Sequence, residues 1–510
     1  MEVFSFLADG IFLALQPVNL ALIMIGVTVG LFIGAMPGLG SVNGVAILLP
    51  ITFLVPPASA IIFLAAIYYG AMYGGAISSV TLGIPGASTA VATTFDGRPL
   101  ALQGRASLAL VTAALASFVG GTVATVFFTL FAPLLASVAL NFGPPEIFAL
   151  MLLAFATFVG LGGDDIPKTI FSICFGLVLA TVGFDTISGA PRLVLFDIQG
   201  FIRGIGFIVL AIGVYGIGEM LWTIEQTRGE ITTTNPKMTA KGLASDAKEA
   251  VQRGWKGTWI GSILGFFVGV LPAAGATPGS LMSYGVAKII SKTPHEYGNG
   301  SPDGVAAPEA ANNSASTGAM LPMLTLGIPG SPTTAILLGG MVIWGLTPGP
   351  RLFLDESEFV WGLIGSFYVS NVAAVLINLA FIPLFVWMLR MPFTILAPLI
   401  FVLSIIGGFA ASRSMHDLWM IVIFGLGAFF LRKFDYPLAP AVLAIVLGPI
   451  AEPTLRQSLL LSSGDPSIFF IRPIAGPITV IAIILILLPA LKLLRRNGRV
   501  SQKSKTPYVQ

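Results

Sequence analysis

The sequence predicts an all-α polytopic membrane protein. It would have about twelve transmembrane segments in two repeated halves, with broken or re-entrant helices at Gly/Pro motifs. Three observations lead there. Hydrophobic residues make up 55% of the 510 and charged residues only 10%, with a mean hydropathy of +0.93, far from the balance of a soluble domain. Apolar runs of the roughly 20 residues needed to cross a bilayer recur from end to end. The hexapeptide Thr81-Leu82-Gly83-Ile84-Pro85-Gly86 returns letter for letter as Thr325-Leu326-Gly327-Ile328-Pro329-Gly330, an offset of 325 − 81 = 244.

Residues 1–224 form the first repeat, with apolar spans near 11–33, 45–80, 106–140, 146–162, 167–187 and 203–224. Glu2 and Asp9 stand where a cleaved signal would be basic, so the first span is expected to stay as a helix. Its end carries the first interruption. Gly30, Gly34, Pro37 and Gly40 recur as Gly265, Gly269, Pro272 and Gly275, an offset of 265 − 30 = 235. Pro37 lacks an N–H and clashes with the preceding turn, while Gly38 and Gly40 let the backbone leave helical geometry. Non-helical backbone at membrane depth survives only where it is buried in protein or lines a polar cavity, so paired breaks in two repeats point to a transporter's substrate site. Half-helix N-termini beyond a break offer free N–H groups and the positive end of a dipole, suited to an anion. Close helix packing is the other reading of Gly30/Gly34 and Gly265/Gly269, each a GxxxG pair. It leaves Pro37 and the Asn43 that follows unexplained, so Pro37, Gly38, Gly40 and Asn43 are candidate substrate contacts.

The hexapeptide is the second interruption. Gly83, Pro85 and Gly86 are followed by Ser88, Thr89, Thr93 and Thr94, then Asp96 and Arg98. Small hydroxyls after a break can cap the next helix or coordinate a ligand, and both readings stand. A cap needs one residue, whereas the whole hexapeptide is kept twice, so Gly83, Pro85, Gly86, Ser88 and Thr89 join the candidates.

The polar stretch 225–256 divides the halves as a linker. It carries Arg228, Lys237, Lys241, Lys248, Arg253 and Lys256 against Glu225, Glu230, Asp246 and Glu249. The tail, 495–510, is basic too. Both are expected to face the cytoplasm, which leaves the handedness of the repeat open.

The second repeat, 257–494, has apolar spans near 257–290, 312–346, 359–389, 393–411, 416–432, 436–450 and 472–494. Its candidates are Gly275, Thr277 and Pro278, then Gly327, Pro329, Gly330 and Thr333. Before its hexapeptide, Glu309, Asn312 and Asn313 enter an apolar run, where such groups are expensive unless partnered or wetted. Asn312 and Asn313 are candidate substrate contacts. Glu309 is either the site of a coupling ion or the polar start of a helix. A fainter echo, Phe175-Gly176-Leu177 against Phe424-Gly425-Leu426, extends the repeat along each half.

Other chemistry is sparse. His295 and His416 sit in polar connections and read as interfacial. Arg98, Arg105 and Arg351 follow the hexapeptides, and a guanidinium suits a carboxylate. There is no Gly-Lys dipeptide, hence no phosphate-binding loop, and no HExxH or GxSxG. The single Cys174 excludes a thiol metal site or disulfide framework. No enzyme, metal or organic cofactor is indicated, and a net charge of +3 gives no reason to expect nucleic acid.

At these residues the chain resembles the large permease subunit of the bacterial tripartite tricarboxylate transporters. The likeness runs through Gly34–Gly40 with Leu49–Phe53, Tyr69–Gly75 into the first hexapeptide, and Gly269–Gly279. It continues through Gly304–Asn313 into the second hexapeptide, then Tyr436–Pro440 and Leu447–Pro449, nearly the whole chain. The resemblance implies a multi-pass inner-membrane subunit working with a small membrane subunit of about four helices and a periplasmic solute-binding protein. It would import tricarboxylates or related carboxylates on a proton or sodium gradient, substrate held between the two copies. An elevator-type motion is an analogy only. The rival reading is a permease driven by a separate ATPase, with 225–256 as its coupling segment.

Overall fold

The computed structural model describes residues 2–36, 39–161, 165–185, 189–194, 199–226, 240–272, 275–388 and 393–487. The architecture is all-α. The only β structure among the described residues is a hairpin pairing Gly183–Phe184 with Pro191–Arg192. The first half runs α1 (Glu2–Ala14), α2 (Pro17–Ala35), α3 (Gly40–Leu48), α4 (Pro57–Thr81), α5 (Val91–Leu102), α6 (Ala106–Ala139), α7 (Pro144–Leu161) and α8 (Ile166–Ala180). Then α9 (Phe207–Ala211) passes through a π-helical stretch, Ile212–Gly218, into α10 (Glu219–Gln226). The second half runs α11 (Ala240–Val270), α12 (Ala276–Ile290), α13 (Pro302–Leu326), α14 (Pro332–Ile343), α15 (Leu352–Asp355), α16 (Ser357–Met388), α17 (Phe393–Ser412) and α18 (Met415–Lys433). The chain closes with α19 (Leu438–Leu461), α20 (Ile468–Ile471) and α21 (Ala475–Leu487).

Among the described residues six helices, α2, α4, α6, α16, α18 and α19, are long and apolar enough to cross a membrane unaided. Several others are apolar but of half length, among them α3 and α14 beyond the breaks. The fold is therefore that of a polytopic membrane protein built from full-length and interrupted helices. α13 matches α4 at 25 residues but carries Glu309, Asn312 and Asn313, and all of it but Asp303 and Leu326 is buried.

Two compact units emerge, and they do not follow the halves of the sequence. The first comprises residues 1–140 and 206–433, the second 141–205 and 434–510.

In the first unit the two halves repeat one construction. α2 lies along α4, and α11 along α13. A Cβ built on Gly34 would stand 2.1 Å from Ala71 O, and one on Gly269 would stand 2.2 Å from Ala315 O. Gly30 and Gly265 meet Ile67 and Ala311 in the same way. Ala71 and Ala315, like Ile67 and Ala311, are separated by the hexapeptide offset. These four glycines serve backbone-to-backbone packing, worth having in lipid because small residues maximise dispersion contact. The next helix of each half crosses over: α6 packs on α11 and α13, and α16 on α2 and α4.

The polar stretch 225–256 is helical from Ala240, continuous with α11; residues 227–239 and the tail 488–510 lie outside the described residues. Ala240, Leu243, Ala244, Ala247 and Ala250 are good helix formers, and charge alone does not break a helix. Ahead of the apolar part of α11, Glu249 accepts from Arg105 at 2.5 Å and from Arg253 at 3.2 Å. The Arg105 guanidinium holds the Glu249 carboxyl below its ordinary pKa. A lowered folded pKa contributes stability above the ordinary value and loses it as pH falls through the lowered one. Because the pair is about a third exposed, Glu249→Gln should cost less than about 1 kcal/mol at neutral pH. In thermal unfolding its difference from wild type should close on acidification. A difference that persists in acid would mean the side chain acts by packing.

The second unit gathers α7, α8, the hairpin, α19, α20 and α21. Gly176 on α8 receives α19 closely, its Cβ position 2.2 Å from Ala441 O. Asp185 after the hairpin's first strand forms ion pairs with Arg192 and Arg456, and Glu452 with the same two arginines at 2.8 and 2.6 Å. The faint echo at Gly176 and Gly425 thus has a counterpart in packing: in the first unit Gly425 on α18 meets Ile217 and Gly213 of the π-helical stretch. In each case a late helix of the other half completes the group. α19 packs on α7 and α8, and the α9–α10 segment packs on α17 and α18.

Candidate functional site

The breaks are built alike. Gly40, Gly83, Gly275 and Gly327 have φ of 61°, 73°, 67° and 70°, the left-handed region that a side chain resists. Gly83 and Gly327 end α4 and α13, and Gly40 and Gly275 stand where α3 and α12 begin. Beyond each hexapeptide a new helix starts: a 3₁₀ turn, Ser88–Ala90, leading into α5, and α14. The last hexapeptide glycine seats that corner. A Cβ on Gly86 would fall 1.9 Å from Gly34 O, and one on Gly330 would fall 2.8 Å from Gly269 O. Each hexapeptide therefore rests on the first break of its own half.

The two halves then meet crosswise. Ser41 Oγ at the start of α3 lies 3.0 Å from Thr333 Oγ1 at the start of α14. Gly275 N, ahead of α12, donates to Gly330 O, ahead of α14, at 3.0 Å. Thr277 Oγ1 on α12 lies 3.1 Å from Ser88 Oγ in the turn before α5. Ala87, ahead of that turn, is the side chain nearest Gly40. The contacts close a ring, α3 to α14 to α12 to α5 and back to α3, of four helix N-termini. A helix N-terminus carries N–H groups without intrahelical partners and the equivalent of about half a positive charge; the capping box on α14 and the turn before α5 each use one such N–H. Two of the four junctions are hydroxyl pairs, able to donate or accept; the other two are a backbone bond and the Ala87 methyl against Gly40.

Ring members therefore include Gly40, Gly86, Ser88, Gly275, Thr277, Gly330 and Thr333. Gly83 and Gly327 turn the backbone toward it, Pro85 is half-buried and Pro329 buried in the hexapeptides, and Thr89 and Pro278 are half-buried beside Ser88 and Thr277. Asn43 is buried one turn into α3. Pro37 and Gly38 lie outside the described residues. Capping accounts for part of the hydroxyl run in the second copy only: Ser331 and Thr334 form a capping box on α14.

Asn312, Asn313 and Glu309 sit elsewhere, buried along α13. Asn312 Nδ2 donates to Met72 O of α4 at 3.1 Å and Asn313 Nδ2 to Glu309 O at 3.2 Å. Glu309 is two turns inside α13 rather than at its start, which Pro302 and the Ser301 cap define. Its carboxylate accepts from Thr93 of α5 and from Ser117 of α6, the latter at 3.3 Å.

The arginines are used locally. Arg98 donates to Thr81 O with its stem over Gly83, Arg105 pairs with Glu249, and Arg351 is exposed at the start of α15. Three contributors stood outside the candidate set. Ser41 and Ser331 abut break residues and were readable as hydroxyls next to a glycine. Tyr68, whose OH lies 3.3 Å from Ser331 Oγ, has no distinguishing signal within its apolar run.

The profile of the tripartite tricarboxylate transporter TctA family matches residues 20–443. An Agrobacterium vitis protein described as the 52.8 kDa protein in the TAR-I ttuC' 3' region is 37% identical over 495 residues, covering 96% of this chain and 98% of the relative. A second from the same organism, in the TAR-II ttuC' 3' region, is 37% identical over 231 residues, 45% of this chain and 96% of its own. No solved structure matches.

Proposed function

The chain belongs to the tripartite tricarboxylate transporter TctA family, and on that premise we propose that it is the translocating subunit for a tricarboxylate or related carboxylate, imported across the bacterial inner membrane by secondary active transport. The observation that carries this reading is the closed ring of four half-helix N-termini. Carboxylates need donors and positive potential, and the ring supplies both without a buried arginine or lysine. Backbone dipoles are fixed in place, so a charged substrate can be desolvated against them with little reorganisation, and released again because no full ion pair must break.

The two copies are proposed as structural repeats, 1–224 and 257–494, with substrate at their crossing and a proton or sodium gradient as the driving force. A small membrane subunit and a periplasmic solute-binding protein complete the proposed system. The test is uptake of labelled citrate and a panel of dicarboxylates by vesicles carrying the assembled system, with each gradient collapsed in turn. Uptake lost with an ionophore and indifferent to ATP supports the proposal. Uptake lost with ATP alone would assign the energy to a partner ATPase. In the same assay Ser88→Ala with Thr277→Val should lower uptake at limiting substrate at least roughly fivefold, the equivalent of one hydrogen bond of about 1 kcal/mol. Unchanged uptake would remove that corner from the substrate path.

A further inference from the structure

Glu309 carries a deficit that the proposed substrate ring does not relieve. Its side chain is fully enclosed, at 0% exposure. The ion pairs of the first unit among the described residues are Arg105 and Arg253 with Glu249, Arg253 with Glu296, His416 with Asp417, Arg432 with Glu219 and Lys433 with Glu225. Glu309 is in none of them. Both of its carboxylate oxygens are faced by hydroxyl donors, Thr93 and Ser117. Two hydroxyls can hydrogen-bond an ionised carboxylate there, but they bring it no positive charge.

A second deficit lies beside it. Ser117 Oγ is 3.5 Å from Glu309 O, and Asn313 Nδ2 donates to the same carbonyl at 3.2 Å. The Asn313 amide, the Ser117 hydroxyl and the carboxylate thus share one neighbourhood. Asn313 Oδ1, the other end of that amide, is buried without a hydrogen-bond partner, as is Asn312 Oδ1 one residue earlier. A buried charge without a counter-charge and a buried acceptor without a donor are each costly. Both have the same sign. One cation would answer both.

We propose that Glu309, Asn313, Ser117 and Thr93 form a binding site for a sodium-sized monovalent cation. The donor set is all oxygen, which suits a hard cation, and it holds a single carboxylate, whereas calcium sites gather several. The site also touches the ring. Thr93 lies in the first turn of α5, directly after the turn in which Ser88 meets Thr277. A cation that draws Thr93 and Glu309 together holds that corner of the ring in place. The inference deepens the transport reading and rests on it for the coupling, but binding of the cation is measurable without transport.

The experiment is thermal unfolding of the purified full-length chain, without substrate, in sodium chloride against choline chloride at constant ionic strength, paired with equilibrium binding of sodium-22. A saturable rise in Tm specific to sodium is expected. Asn313→Ala should weaken sodium affinity about tenfold, the loss of one charge-assisted contact, and Glu309→Gln should abolish the rise. If Glu309→Gln does not fold, Asn313→Ala and Thr93→Val carry the test. Wild-type protein blind to sodium but stabilised by acid through Glu309 would overturn the proposal in favour of a proton. A sodium effect undiminished in these variants would overturn it by placing the ion elsewhere. Sodium binding without carboxylate uptake would keep this site and remove the transport reading; sodium-free uptake with no binding would do the reverse.

Discussion

Gly86→Ala should cut carboxylate uptake by roughly ten- to a hundredfold while the protein still reaches the membrane. A Cβ there would lie 1.9 Å from Gly34 O and 3.0 Å from Ser78 Oγ, in a corner closed by backbone. No rotamer relieves a clash with a carbonyl, so the hexapeptide must lift off α2, and the turn carrying Ser88 moves with it. Overpacking a closed site costs typically 1–3 kcal/mol, roughly ten- to a hundredfold in any step that needs the seated geometry. Gly330→Ala should act in the same sense, its Cβ falling 2.7 Å from Ala319 Cα. Gly427→Ala on α18 is the control, with nothing within 4 Å of its added carbon. Uptake normalised to membrane-embedded protein checks all three. Wild-type rates in Gly86→Ala and Gly330→Ala would show that the ring does not depend on these seats.

Asp96→Ala should be the most destabilising single truncation in the first unit. The carboxylate is fully buried on α5. Oδ1 accepts from the backbone N–H groups of Gly298, Gly300 and Ser301 at 2.9, 2.9 and 2.8 Å, and Oδ2 accepts from Tyr284 OH at 2.9 Å. One side chain of the first half thus fixes α12, the loop before α13 and the cap of α13 in the second. Truncation strands three backbone donors away from water, and at about 1–3 kcal/mol for each the loss reaches several kcal/mol. Asp96→Asn keeps an acceptor for the three N–H groups and loses the one for Tyr284, so its Tm should fall between Asp96→Ala and wild type. An Asp96→Ala protein that melts with wild type would mean the cage contributes nothing to stability.

What could be read from the sequence followed from local physics. A glycine or proline inside an apolar run has few explanations, and the repetition identified Gly40, Gly83, Gly275 and Gly327 as break residues, all four of which adopt the left-handed conformation. The crosswise pairing was not readable. Ser41 meets Thr333 and Ser88 meets Thr277 across 292 and 189 residues of sequence, and a tertiary contact between copies leaves no local pattern. Asp96 was visible only as a residue after the hexapeptide, because the loop it cages reads simply as glycine-rich. Arg98 looked free for a ligand, yet the break it follows exposes Thr81 O, and a guanidinium close by bonds that carbonyl first. Helix within 240–256 was masked by its charges, which the ion pairs with Arg105 and Glu296 accommodate.

The exchange of late helices between the halves has a consequence for biosynthesis. α7 and α8 leave the ribosome long before α19, the helix that packs on both, and at about 5–20 residues per second the roughly 260 intervening residues take about 13–50 s. For that interval the pair must be held by lipid or by insertion machinery, with the Gly176 surface uncovered. The α9–α10 segment waits in the same way for α17 and α18. Neither half can finish its own bundle, so a nascent chain stalled in the middle holds two unfinished groups rather than one finished domain, and quality control would meet it as such.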